Sequence, residues 1–182
     1  MQKAIRVKAG LAMMLCGVLA AGCAGTAPTG AKGTDPHAVQ VGAPGAATCR
    51  PTTASENATG AAVTNQLRQQ AGLAGVAPNP QLARVAAAHA CDMAQRGRMT
   101  HLGDKTTGPA MRLKQAGYQP TISAENIAAG PYSLPRVLAE WNASPGHQAN
   151  IMLPQVRDYG VGQALGPDGR TVYWAAVYSA PR

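Results

Sequence analysis

In NPQLARVAAAHACDMAQRG, residues 79–97, Leu82, Val85, Ala86, His89, Ala90 and Met93 recur three and four positions apart. That spacing predicts an α-helix with one buried face. Asn79 is placed to cap it, Pro80 suits its first turn and Gly97 stops it. Further helices are predicted in SENATGAAVTNQLRQQAGL, with Val63 and Leu67 four apart, and in PAMRLKQAGY, closing on Gly117. Another covers SLPRVLAEW, with Val137, Leu138 and Trp141 on its apolar side, and a fifth opens at SPGHQANIM. Near the C-terminus the period changes. YGVGQAL and TVYWAAVYSA are apolar, β-branched and aromatic runs on either side of GPDGR, a turn signal, and predict an antiparallel hairpin. Helices first and a small sheet last make an α+β layout, with helices on the sheet faces. The chain has no Phe, so Trp141, Trp174, Tyr118 and Tyr173 are expected in the core. His89 is read as a buried structural histidine.

The N-terminus follows another logic. Lys3, Arg6 and Lys8 precede the apolar run AGLAMMLCGVLAAG, the basic and hydrophobic regions of an export signal, too short for an ordinary spanning helix. Residues 1–22 are therefore set apart from any fold. LAAGC, ending in Cys23, resembles the lipobox of bacterial lipoproteins, with Leu19 one position earlier than usual. Diacylation plus an N-acyl, palmitate-type chain on Cys23 would anchor the protein firmly to a membrane, where a single chain holds only marginally. Ala24 resembles outer-membrane sorting. The alternative is a secretory signal cut near Ala-Gly, leaving a free protein. Residues 23–48 carry the lipidated cysteine and an Ala, Gly, Pro and Thr tether in which His37 is expected to be solvated. Residues 49–182 suit one domain with one core.

Charge and cysteines narrow the function. Without the three signal bases, 13 basic side chains remain against 8 acidic, a net +5. The bases are scattered, without the concentrated stripe a nucleic-acid site needs, so no nucleic-acid partner is expected. Cys16 leaves with the signal and Cys23 takes lipid. Cys49 and Cys91 form an even pair in an oxidising compartment and are expected to bridge. Such a bridge is worth about 4 kcal/mol in the chain-entropy model. Cys91 as nucleophile or metal ligand is the rival reading, and its setting in AAAHACDMA argues against a ligand cluster.

Three ionisable residues stand in unusual surroundings. His101 follows RGRMT, Glu125 sits between apolar neighbours in ISAENIAAG, and His147 lies just after the start of the fifth helix. Histidine and carboxylate groups at such junctions are what metal binding or acid–base work requires. Each alone has a plainer explanation, and spacing cannot bring them together.

The series LARVAAAHACDMA, MTHLG, AGY, AENIAAG, VLAEWNASPGHQANIM, YGVGQAL and YWAAVYSA, in that order from about residue 60 to 180, resembles the CAP superfamily. That group takes in cysteine-rich secretory proteins, antigen 5, pathogenesis-related plant proteins and bacterial SCP-like extracellular domains. The resemblance implies an α-β-α sandwich, helices packed on a small, mainly antiparallel sheet, with a cleft lined by two histidines and two acids. It matches His101 and His147 to the histidines and Glu125 to the first acid. Ser144 stands where the second acid belongs, as in the bacterial W..SPGH form. Ser144 is expected to cap the fifth helix with its hydroxyl, a nucleophile being the livelier alternative, with Pro145 first in that helix and His147 third. Glu140 is expected to be a solvated surface acid.

Two imidazoles and a carboxylate could hold zinc or another divalent metal with a position left open. The favoured reading is a monomeric, non-enzymatic protein of the bacterial envelope, an outer-membrane lipoprotein or else secreted. Its cleft would bind a divalent metal, a small ligand or an envelope component. The alternatives are a metal-dependent, protease-like hydrolase with Glu125 as general base, and a lipid- or sterol-binding protein.

Overall fold

A computed structural model describes residues 34–182, which fall within one compact unit. The signal segment and the lipidation at Cys23 lie outside the described residues. Among those described, no helix is long and apolar enough to cross a membrane.

In chain order the elements are β1 (Val39–Gln40), β2 (Thr48–Cys49), α1 (Ala54–Gln70), β3 (Ala77–Pro78), α2 (Pro80–Arg96) and β4 (Arg98–Met99). Then come α3 (Pro109–Gln115), β5 (Pro120–Gly130), α4 (Leu134–Ala143), α5 (Pro145–Ile151), β6 (Asp158–Leu165) and β7 (Val172–Pro181). Asn79 caps α2 as expected, its side chain accepting from the N–H groups of Gln81 and Leu82. Gly97 ends α2 in the left-handed conformation at φ +62°, which glycine adopts without the Cβ clash. Helix α1 starts with a capping box between Thr53 and Glu56.

The main sheet runs β2–β6–β7–β5, with β3 pairing β6 as well. The predicted β6–β7 hairpin is there, paired from Asp158–Ser179 to Leu165–Val172. The layout departs from helices first and sheet last, because β5 is a long strand set between α3 and α4 and antiparallel to β7. Its central residues, Ala124 to Ile127, are all buried. A strand covered on both faces loses the apolar–polar alternation by which strands are usually recognised.

The sheet separates two cores. One holds Trp141, Ile151, Val161, Trp174, Ala176 and Tyr178. The other holds Leu82, Ala86, Met93, Leu113, Tyr173, Ala175 and Val177. Successive residues of β7 alternate between them, as the period-2 geometry of a strand requires, so the molecule is an α-β-α sandwich. Helix α2 lies almost on the sheet backbone. A Cβ at Gly160 would come within 2.2 Å of the Ala83 nitrogen, and one at Gly162 within 2.2 Å of the Ala87 nitrogen. The glycines of YGVG and the alanines of α2 are two sides of one close contact.

The structure completes the face of α1 and corrects the expected tether. The buried face of α1 is Asn57, Gly60, Ala61, Thr64 and Arg68, while Val63 and Leu67 are only half-buried at its margin. Arg68 is fully buried and donates to the carbonyls of Ala74, Ile151, Leu153 and Val156, so a charged side chain ties α1 to the segments that follow α1 and α5. The segment expected as a tether up to residue 48 is not free of the domain from residue 35 on. Strand β1 pairs with β4 and β2 with β6, and Cys49 is bonded to Cys91 across a Cα–Cα distance of 5.4 Å. Backbone hydrogen bonds hold this stretch, and they leave no hydrophobic pattern to read.

Candidate functional site

Strand β5 is an edge strand of the main sheet, and a cleft of about 700 Å³ opens along it. His101, Glu125 and His147 all border it, with His37, Ser144 and Trp141. The three residues singled out from sequence therefore come to one hollow.

The Glu-Asn pair of β5 works by strand alternation. Glu125 lies opposite Val177 and Asn126 opposite Ala176, residues of different cores. Glu125 accordingly points to the α2–α3 side and Asn126 to the α4–α5 side. Asn126 donates to the His147 carbonyl at 3.2 Å and accepts from Asn150 at 2.8 Å, while Asn150 and Trp141 donate to the edge carbonyls of Glu125 and Ile127. These contacts seat α5 on the sheet edge and place the His147 backbone.

Glu125 borders the cleft, yet its side chain is only 1% exposed. One oxygen pairs with the Arg112 guanidinium. The other meets His101 Nδ1 at 3.0 Å and lies 3.6 Å from His89 Nε2. Burial works to raise its pKa, but the His89 and His101 imidazoles and the Arg112 charge outweigh it and hold the carboxyl below its ordinary value. The carboxylate is fully engaged. His101, 31% exposed at its side chain, is therefore fastened through Nδ1, leaving Nε2 as its available nitrogen. Its peptide N–H donates to Asp35 and its carbonyl accepts from Arg112.

His147 is third in α5, as expected. Its Nδ1 is buried without a hydrogen-bond partner, and its ring meets Trp141 edge-on at 6.5 Å between centroids. Burial, then the neighbouring His101 and His37, push its pKa down, which favours the neutral form of the ring. The Trp-then-His stretch thus has a mechanical reason: Trp141 is buried against β5, and the Ser-Pro-Gly turn swings the next helix so that His147 borders the cleft.

Ser144 occupies the cap position but its hydroxyl makes no capping hydrogen bond; only its carbonyl is used, accepting from Gln148. The expected hydroxyl cap is thereby corrected, and Ser144 lines the cleft instead. Glu140 pairs with Arg136 on an exposed helix face, although it too reaches the cleft rim. His89 is buried, as expected, with Nε2 on the Thr100 carbonyl at 2.9 Å, and burial depresses its pKa.

Sequence reasoning missed Arg112, Asp35 and the placement of His37. Arg112 was counted only among the scattered bases, and Asp35 and His37 lay in a stretch read as tether. His37 is exposed, as expected, but its ring stands edge-to-face with His101 at 6.3 Å between centroids. Among the described residues, no three His, Cys, Asp or Glu side chains stand close enough together to hold a metal ion. The donor set as placed offers two imidazoles, at His101 and His147, and withholds the carboxylate.

An α-β-α sandwich with a histidine-lined cleft at its sheet edge is the class of protein defined so far, and comparison makes it specific. A family model described as CAP, cysteine-rich secretory protein family, matches residues 61–178, and the chain belongs to that family. It is similar to the uncharacterised protein YkwD of Bacillus subtilis (strain 168), 31% identical over 100 residues, 55% of this chain. The match spans only 39% of that relative's length. Among solved structures, an outer surface protein of Borrelia burgdorferi superposes with a TM-score of 0.62 at 18% identity, over 76% of this chain and 99% of that one. An extracellular SCP-domain protein of Bacillus anthracis does so at 0.60 and 24% identity, over 71% of this chain and 44% of that one. At these identities the structural likenesses establish the fold.

Proposed function

We propose that this chain is an exported bacterial CAP-domain protein, anchored through lipid on Cys23, whose cleft binds a divalent transition metal such as zinc through His101 and His147. The observation that carries the reading is the clamp on His101. A buried, ion-paired carboxylate holds its Nδ1 at 3.0 Å, the outer-shell arrangement that fixes a ligating imidazole's tautomer and orientation. Glu125 then acts as the positioning group, not as a ligand. With Arg112 on its other oxygen it has little capacity to take a proton from water, which disfavours the hydrolase reading. Neutral imidazoles suit zinc and its neighbours, and two of them leave positions open for water or a small ligand. The Cys49–Cys91 bridge and the signal pattern support export to an oxidising compartment.

Isothermal titration of zinc into the purified chain tests this. Saturable one-site binding is expected, abolished in the His101→Ala, His147→Ala double variant. Binding of unchanged affinity in that variant, or none in the parent, would refute the site.

A further inference from the structure

A second hollow, of about 480 Å³, lies between α2, α3 and the loop that follows His101. That size falls within the roughly 300–1,000 Å³ of small-molecule sites. The hollow shares no lining residue with the cleft, yet His89 and Arg112 line it, and both lie against the Glu125 carboxylate that faces the cleft. Each has a buried nitrogen without a hydrogen-bond partner, His89 Nδ1 and Arg112 Nε. The His89 residue is 1% exposed and the Arg112 side chain 9%. Buried polar atoms are nearly always paired, so two orphans on residues lining one hollow point to an occupant.

Their chemistry says what it would carry. His89 Nε2 faces acceptors, the Thr100 carbonyl at 2.9 Å and Glu125 at 3.6 Å, so the proton sits there and Nδ1 keeps its lone pair. The Asp92 carboxylate stands 3.9 Å from that Nδ1 and also lines the hollow. Two adjacent acceptors suit a group with several N–H donors, an ammonium. Arg112 Nε–H is a donor only, and the exposed bases Arg84 and Lys105 line the same hollow, a set that suits a carboxylate. Val85, Ala88 and Ala116 add apolar lining for small side chains. We propose that this hollow binds a small zwitterion of the amino-acid or short-peptide class. Its ammonium would face His89 and Asp92, and its carboxylate Arg112 and the neighbouring bases. Since His89 and Arg112 also hold Glu125, and Glu125 holds His101 Nδ1, occupancy of the hollow bears on the orientation of a cleft imidazole.

Titration of the purified, zinc-free chain with the dipeptide alanyl-alanine, followed by NMR of backbone amides and histidine rings, tests this apart from the metal reading. Saturable shifts are expected at the Val85 and Ala88 amides, with the His101 ring moving in step. The N-acetyl dipeptide and the dipeptide amide each lack one charge and should bind at least about tenfold more weakly, the scale of one charge-assisted hydrogen bond. Ala88→Trp, at an exposed position of α2, should fill the hollow and abolish the shifts. Unmoved amides, equal binding of a capped dipeptide, or binding retained in Ala88→Trp overturns the site. Saturation with the His101 ring unmoved overturns its link to the cleft.

Discussion

Glu125 is the residue on which the site turns. A carboxylate 1% exposed survives only because Arg112 neutralises it and two imidazoles lie against it. Removing the cation leaves an uncompensated buried charge, which costs about 3–5 kcal/mol. Arg112→Met should therefore destabilise the domain by that order in urea unfolding at neutral pH, and adding Glu125→Gln should recover part of the loss. The pH dependence has a definite sign. The folded-state carboxyl binds its proton less readily than the unfolded one. Its stabilising contribution is thus complete above the ordinary value of 4.5 and is lost as pH falls through the lower folded value. Stability of Glu125→Gln should fall less steeply with acid over that window, and an equally steep fall would contradict the assignment. In the sequence Glu125 stood out as a charge among apolar residues, whereas Arg112 did not, because nothing local distinguishes a base that folds inward from one that remains in water.

At the scale of elements, α2 and β6 meet backbone to backbone at Gly160 and Gly162, an approach that only glycine permits. Gly162→Ala would set a methyl group 2.2 Å from the Ala87 nitrogen, backbone that cannot swing aside. Overpacking of this kind costs about 1–3 kcal/mol or more, and calorimetry should register it as a drop in Tm of several degrees. A fall of less than a degree would mean that α2 sits farther from the sheet. Helix α2 was legible because its capping residue, its proline, its apolar spacing and its terminal glycine all pointed one way. Strand β5 was not, because burial on both faces erased its alternation. The buried stripe of α1 was not legible for a related reason: small and polar residues fill it, and an arginine there is satisfied by carbonyl groups far along the chain.

The described residues form a sheet between two helical layers, with the cleft along the edge strand β5 and the segment from residue 35 on closing one side. The bridge from Cys49 to Cys91 spans 42 residues and pins the chain just before α1 to α2. Its reduction should lower stability by about 4 kcal/mol in the chain-entropy model, measured by chemical unfolding with and without a reductant; an unchanged midpoint would show that the other contacts alone suffice. The sequence by itself determined the helices with clear caps, the terminal hairpin, the cysteine pair and the identity of His101, Glu125 and His147 as residues of interest. Those features are carried by neighbours a few positions apart, so local spacing reports them. Only tertiary structure decided that Glu125 meets Arg112, that Ser144 lines the cleft without a hydroxyl cap, and that the segment from residue 35 on is fastened to the domain. Each depends on groups from separate elements meeting across the sheet edge, and the free energy of such a meeting is set by burial and partner geometry, which no local pattern along the chain encodes.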